Sequence, residues 1–227
     1  MTWLYVCLSM IIGYIFGSIN VSVILSKVAF KGDVRQFGSG NAGATNMARV
    51  YGLKGGITVL VGDFLKAILA CLIALLIAPE KDTEICTMAV GVACLVGHAY
   101  PIFFGFKGGK GVTVGAAVAL IIDWKALLFI FIVFVVVFAF THIVSISSIL
   151  SGCGLIVATI TFYVLNLCDV GSGFFANFTP EKMFLAVFTG VFVAWLHRSN
   201  IVRLLNGEEK KFAFKKQEKA TGNKKNK

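Results

Sequence analysis

The chain is 227 residues long, 58% of them hydrophobic and only 14% charged, with a mean hydropathy of +0.87. Soluble domains carry about 25% charged residues, so this composition excludes an ordinary soluble globular protein and points to the bilayer. The formal charge is +10, yet residues 198–227 alone hold ten Lys or Arg against three acids; excess confined to one end suits a tail on anionic lipid or in solvent, and no nucleic-acid partner is expected.

A hydrocarbon core of about 30 Å takes about 20 apolar residues in a helix. Seven windows meet or approach that length: 2–28, 55–78, 85–104, 111–122, 126–143, 149–167 and 182–197. The first lacks a basic start and a convincing cleavage site, so it reads as a spanning helix, not a signal peptide. After it comes GSGNAGATNMAR (38–49). The second window contains Asp63 and Lys66 at i, i+3, a structural ion pair or a group at the edge of a site. The third runs into GHAYPIFFGFKGGKG (97–111), where His98 is either packed or a ligand contact. The fourth rises only about 18 Å and must borrow from GGKG or dip in without crossing. THIVSISS follows the fifth and brings Ser145, Ser147 and Ser148; the seventh ends in HRSNIVRLLNGEE (197–209). These windows predict an all-α integral membrane protein: a seven-span helical bundle over 1–206, with a basic tail over 207–227.

Lys and Arg in short loops set the orientation. Lys31, Arg35, Arg49, Lys54, Lys107 and Lys110 fall on the same face as the tail, whereas Lys81, Lys125 and Lys182 oppose them among acids. The N-terminus is therefore expected outside and the C-terminus in the cytoplasm. All three polar stretches then share the cytoplasmic face.

Each stretch is built for anions. Gly38, Gly40 and Gly43 let successive N–H groups turn toward one point, and Ser39, Asn41, Thr45 and Asn46 add short donors. A helix is expected to begin near Thr45, and Arg49 offers a planar fork for phosphate oxygens. In FKGGKGV, Gly108, Gly109 and Gly111 surround Lys110 ahead of an apolar helix; the lysines alternatively serve as positive-inside anchors. His197 and Asn200 share a helical face if the last helix continues, with Arg198 and Arg203 elsewhere around it; the alternative is an interfacial helix end with snorkelling arginines. Glu209 is placed to pair with one of those arginines, and Ser148 to line the pocket. G-x-S-x-G is absent, as is the Walker A pattern. Three histidines without a paired acidic cluster supply a metal poorly, and six scattered cysteines lack a C-x-x-C pair. A site rich in anion binders and poor in bases suits a substrate that brings its own leaving group.

The three stretches resemble the bacterial integral-membrane acyl-phosphate:glycerol-3-phosphate acyltransferase family, known by GSGN-x-GATN-x-x-R, GH-x-x-P…F-x-GGK-x-V and HR-x-NI-x-RL-x-x-G-x-E. The likeness runs in order over about residues 1–209, with Ala42 standing where the family commonly has proline. The resemblance implies transfer of a fatty acyl group from acyl phosphate to the 1-hydroxyl of glycerol 3-phosphate at the inner membrane of a bacterium. It implies no cofactor and no metal, and a monomer is expected. It places Ser39 and Arg49 at phosphate, the glycines around Lys110 and Lys110 itself at glycerol 3-phosphate, His197 and Asn200 completing the pocket, and Glu209 in support; from their residue types Gly40, Asn41, Thr45, Asn46 and Ser148 are expected as further phosphate contacts. The alternative from another class is a transporter for an organic phosphate.

Overall fold

The computed structural model describes residues 1–170, 173–174 and 178–212. Among them every regular element is helical: α1 (Thr2–Ser18), α2 (Val21–Phe30), α3 (Ala44–Tyr51), α4 (Leu53–Ile77), α5 (Thr83–Ala99), α6 (Val112–Ile122), α7 (Trp124–Thr141), α8 (Val144–Leu167), α9 (Pro180–Leu196) and α10 (Arg198–Leu205), with short 3₁₀ turns at Val34–Gln36, Glu80–Asp82 and Ile102–Phe104. Helix is what lipid demands, because the backbone there has no water to satisfy its N–H and C=O groups.

Among the described residues, five stretches are long and apolar enough to cross a bilayer: Thr2–Phe30, α4, Glu80–Phe104, α7 and α8; α9 with α10 makes a sixth if that pair, bent by 58°, is one span. The seven expected windows thus correspond to five such stretches, one bent pair and the short apolar helix α6. Three boundaries differ from expectation. The first window is interrupted at Ile19, and α2 restarts where Asn20 Oδ1 accepts from the Val23 N–H at 3.0 Å. The sixth begins five residues early, so Ser145, Ser147 and Ser148 lie inside α8; the hydroxyls of Ser147 and Ser148 donate to carbonyls four residues back, which lets a polar run stay helical. The third window ends as helix at Ala99, not at 104.

α5 is the central element: 67% of its span is buried inside the protein, against 11% for the peripheral α7. It packs most extensively on α1, and small residues make this possible. A Cβ at Gly13, Gly17 or Gly97 would collide with the facing backbone at Val90, Cys94 or Tyr14. Lipid tails are as apolar as leucine, so helices in a membrane associate through such close backbone packing. α6 lies within the main apolar core, where Val114, Ala117, Val118 and Ala119 are fully buried. Being only 11 residues long, or about 16 Å, it leaves a hollow at its N-terminal end. Beyond α10 the chain turns back on the bundle as far as Phe212, whose N–H donates to the His142 carbonyl at 2.7 Å. The rest of the expected basic tail, 213–227, lies outside the described residues.

Candidate active site

The hollow at the head of α6 is a cavity of about 530 Å³. All three polar stretches reach it, although residues 38–49, 97–111 and 197–209 are far apart in the chain.

The first stretch is folded by its own Asn46. The side chain accepts the Ser39 N–H at 2.9 Å, and its amide nitrogen lies within 3.1 Å of the carbonyls of Val34, Phe37 and Asn41. Asn46 was expected to bind phosphate; its amide hydrogens are instead taken up by the loop, and it acts as the staple that gives the loop its shape. Gly38 and Gly40 have φ of +64° and +71°, conformations that cost other residues energy. Ser39, Gly40, Asn41, Thr45 and Arg49 all line the cavity. Thr45 and Arg49, four residues apart, sit on one face of α3, whose N-terminal end also opens on the cavity. A helix start with its free N–H groups attracts anions.

Arg35 locks this loop to the next one. Its Nη2 pairs with Asp33 at 2.8 Å, while its Nη1 donates to the carbonyls of Phe104 at 2.6 Å and Lys107 at 3.1 Å. The Arg35 guanidinium, outweighing partial burial, holds the Asp33 carboxyl below its ordinary range. Sequence reasoning treated Arg35 only as an orientation marker; the Asp33-x-Arg35 spacing was the available signal.

In the second stretch the glycines do different things. Gly108 N–H donates to Ala99 O and Gly109 N–H to His98 O, both at 3.1 Å. These bonds satisfy carbonyls at the C-terminal end of α5 that the helix itself leaves free. Neither glycine is among the cavity-lining residues, so the expectation that their N–H groups cradle phosphate is corrected: both donors are already engaged. A Cβ on Gly108 would overlap the His98 carbonyl, and one on Gly109 the His98 ring. Gly111, at φ +73°, starts α6, and Lys110 is thereby placed at the positive end of that helix with its ammonium hydrogen-bonded to Asn200 Oδ1. Burial pulls the Lys110 pKa down to about 8, with the Arg203 and Arg49 cations adding to the effect and Glu209 opposing it.

In the third stretch the helix does not continue: it bends at His197, yet both His197 and Asn200 still face the cavity. The His197 Nδ1 lies 2.8 Å from the Val193 carbonyl. A carbonyl can only accept, so Nδ1 carries the proton and neutral His197 keeps its Nε2 lone pair. Glu209 gathers the segment: Oε1 accepts from Asn200 Nδ2 at 2.6 Å and from Ser145 Oγ at 2.8 Å, and Oε2 from Arg203 Nε at 2.7 Å. Burial alone would raise the Glu209 pKa, but these three donors outweigh it and lower the value. Arg203, expected elsewhere on the helix, therefore belongs to the cavity wall. Arg198 does lie apart, over the Trp195 ring at 4.6 Å.

Ser148 lines the cavity, and Asp63 reaches its floor beside His98. Lys66 pairs with Asp63 at 2.8 Å from behind, outside the lining. Sequence reasoning also missed the apolar wall made by Leu60, Phe134, Val144 and Phe212, and the rim cation Lys210. Leu60 is 49% exposed on the outer surface of the bundle. No local pattern marks these residues; they share a wall through tertiary contact alone.

Comparison with known proteins decides the family. A family model described as glycerol-3-phosphate acyltransferase matches residues 7–207. The chain belongs to that family. A glycerol-3-phosphate acyltransferase of Anaeromyxobacter sp. (strain K) is 40% identical over 205 residues, covering 88% of this chain and 93% of the relative. Glycerol-3-phosphate acyltransferase 2 of Bacillus anthracis is 36% identical over 206 residues, covering 90% and 97%. The crystal structure of PlsY (YgiH), an integral membrane glycerol 3-phosphate acyltransferase, in its glycerol 3-phosphate form superposes with a TM-score of 0.77 at 35% identity, covering 92% of this chain and 96% of that one. The lysophosphatidic acid form of the same enzyme gives 0.75. This acyltransferase is thus a multi-pass membrane protein whose family motifs meet in one cavity.

Proposed function

We propose that the protein transfers a fatty acyl group from acyl phosphate to the 1-hydroxyl of sn-glycerol 3-phosphate, giving lysophosphatidic acid and inorganic phosphate. One observation carries this reading: Ser39 and Arg49, Lys110 at the head of α6, and His197 with Asn200 all face a single cavity. Two phosphate-bearing molecules repel each other, and prearranged cations and N–H donors offset that repulsion while stabilising the charge that develops on reaction. The apolar wall from Leu60 to Phe134 supports lateral entry of the acyl chain between helices.

The transfer is direct. The glycerol phosphate hydroxyl attacks the acyl carbon, a C–O ester bond forms, the acyl–phosphate C–O bond breaks, and the electron pair leaves with phosphate. The hydroxyl proton goes to a phosphate oxygen, so no acyl-enzyme forms. A second route for the proton has its own support, since the free Nε2 lone pair of His197 is oriented to act as a base. Trapping an acyl group on Ser39 with acyl phosphate alone would defeat direct transfer.

Seven crossings, with the N-terminus outside, put the cavity at the cytoplasmic face of the bacterial inner membrane; the loop charges support this. The protein acts as a monomer without cofactor or metal. The transporter alternative has no support from relatives, which are acyltransferases by name. Purified protein in lipid, supplied with acyl phosphate and glycerol 3-phosphate, is expected to release phosphate only when both are present. Equal release without glycerol 3-phosphate would mean hydrolysis, and labelling any of the three loops from outside would end the shared-site reading.

A further inference from the structure

Behind the cavity floor lies a buried polar cluster that the transfer step does not use. Lys66 Nζ, on a side chain 5% exposed, has four neighbours: the carbonyls of Gly17 at 3.0 Å and Ile19 at 2.8 Å, His98 Nδ1 at 3.0 Å, and Asp63 Oδ1 at 2.8 Å. The two carbonyls belong to the end of α1, where the first window breaks. His98 itself is 4% exposed.

One arrangement fits these neighbours, since Asp63 Oδ1 lies 3.6 Å from His98 Nδ1, beyond hydrogen-bond distance, whereas Lys66 Nζ is within it. An ammonium group has three hydrogens and no lone pair. The carbonyls must receive two of them, and Asp63 supplies the compensating charge. An imidazole N–H cannot face an ammonium at 3.0 Å, since two donors would then oppose each other, so Nδ1 accepts. Neutral imidazole carries one proton, which is therefore on Nε2. The Nε2 corner lies against Gly109, whose missing Cβ makes room for it. His98 is a cavity-lining residue, and among the described residues Nε2 has no hydrogen-bond partner.

We propose that His98 presents a fixed, neutral Nε2–H donor to a phosphate oxygen of bound substrate, its tautomer set from behind by the Asp63–Lys66 pair. The inference rests on the reading of the cavity as a site for phosphate-bearing substrates, and it assigns the buried pair a task beyond holding α1 to α4 and α5. It also gives the break after Ser18 a purpose, because two of the carbonyls that hold Lys66 come from that turn. His98 is thus the opposite of His197: one histidine offers a donor to the cavity, the other a lone pair.

The chain has three histidines, His98, His142 and His197, so nitrogen-15 spectroscopy of histidine-labelled protein in lipid can resolve them, with His142→Gln and His98→Gln fixing the assignments. The His98 signals are expected to show a protonated Nε2 and a bare Nδ1. Inorganic phosphate and glycerol 3-phosphate, added separately, should each shift Nε2, whereas glycerol should not; a shift with glycerol 3-phosphate alone would place the donor at that substrate's phosphate. A proton on Nδ1, or an Nε2 signal unmoved by either phosphate compound, overturns the proposal even if acyl transfer proceeds normally. If acyl transfer were absent while phosphate still shifted Nε2, the donor would stand and the transfer reading would fall. Kinetics supply a second readout. Glutamine places an amide near Nε2 and asparagine near Nδ1, so His98→Gln should retain kcat/KM within severalfold while His98→Asn loses roughly ten- to a hundredfold, the usual worth of a hydrogen bond to a charged group. Equal losses in both variants at unchanged melting temperature would count against a donor role.

Discussion

The two glycine-rich loops have similar composition and flank the same hollow, but Gly38 and Gly40 of the first line it, whereas Gly108 and Gly109 of the second do not. In residues 38–43, Gly38 and Gly40 adopt positive φ and line the cavity, while the Ser39 N–H is bonded to the Asn46 side chain and the Gly40 N–H to the Phe37 carbonyl. In residues 108–111, the N–H groups of Gly108 and Gly109 turn inward to the end of α5, and only Lys110 and Gly111 reach the cavity. A glycine-rich turn near phosphate therefore does one of two jobs. It can form part of the cavity wall itself, as Gly38 and Gly40 do, or let two backbones approach closely enough to deliver a side chain.

The largest expected effect tests the second job. Gly108→Ala puts a methyl group into the carbonyls of His98 and Ala99, so it should yield little folded protein, measurable as loss of a monodisperse species and of thermal transition in detergent. A well-folded variant with merely a raised KM for glycerol 3-phosphate would restore the cradle reading. Next comes Arg49→Ala in the first region. It should fold normally and lose about 30- to 800-fold in kcat/KM, the 2–4 kcal/mol typical of removing one charged donor from a partly dry site; a large fall in melting temperature would show that Arg49 is structural.

Lys110 gives a smaller, pH-dependent effect. With its pKa at about 8 against 10.5, the free enzyme loses this cation as pH rises through 8, and kcat/KM for glycerol 3-phosphate should fall by up to about tenfold per unit above it. Stability moves the other way. The unfolded chain binds more protons between pH 8 and 10.5, so folding stability gains over that interval. Lys110→Arg should abolish this limb of the rate profile, because guanidinium stays charged. The smallest effect belongs to Gly40→Ala. A Cβ there would meet nothing nearer than the Arg35 carbonyl at 3.5 Å, so the cost is left-handed strain of about 1–2 kcal/mol with the fold retained. Should Gly40→Ala unfold the protein as completely as Gly108→Ala, the contrast between the loops fails.

Much of this protein was legible from residue order alone. Apolar windows of spanning length marked the helices, since lipid tolerates little else, and the cations and short donors of the three stretches named the chemistry. What composition could not reveal was direction. Where the Gly108 N–H points and which nitrogen of His98 holds the proton each depend on a partner from another element: Ala99 and Lys66. Hydropathy and helical period are properties of neighbouring residues, whereas the final partner of a donor is settled only when separate helices pack. The break at Ile19 shows the same division, for its carbonyls have meaning only once Lys66 of α4 lies beneath them.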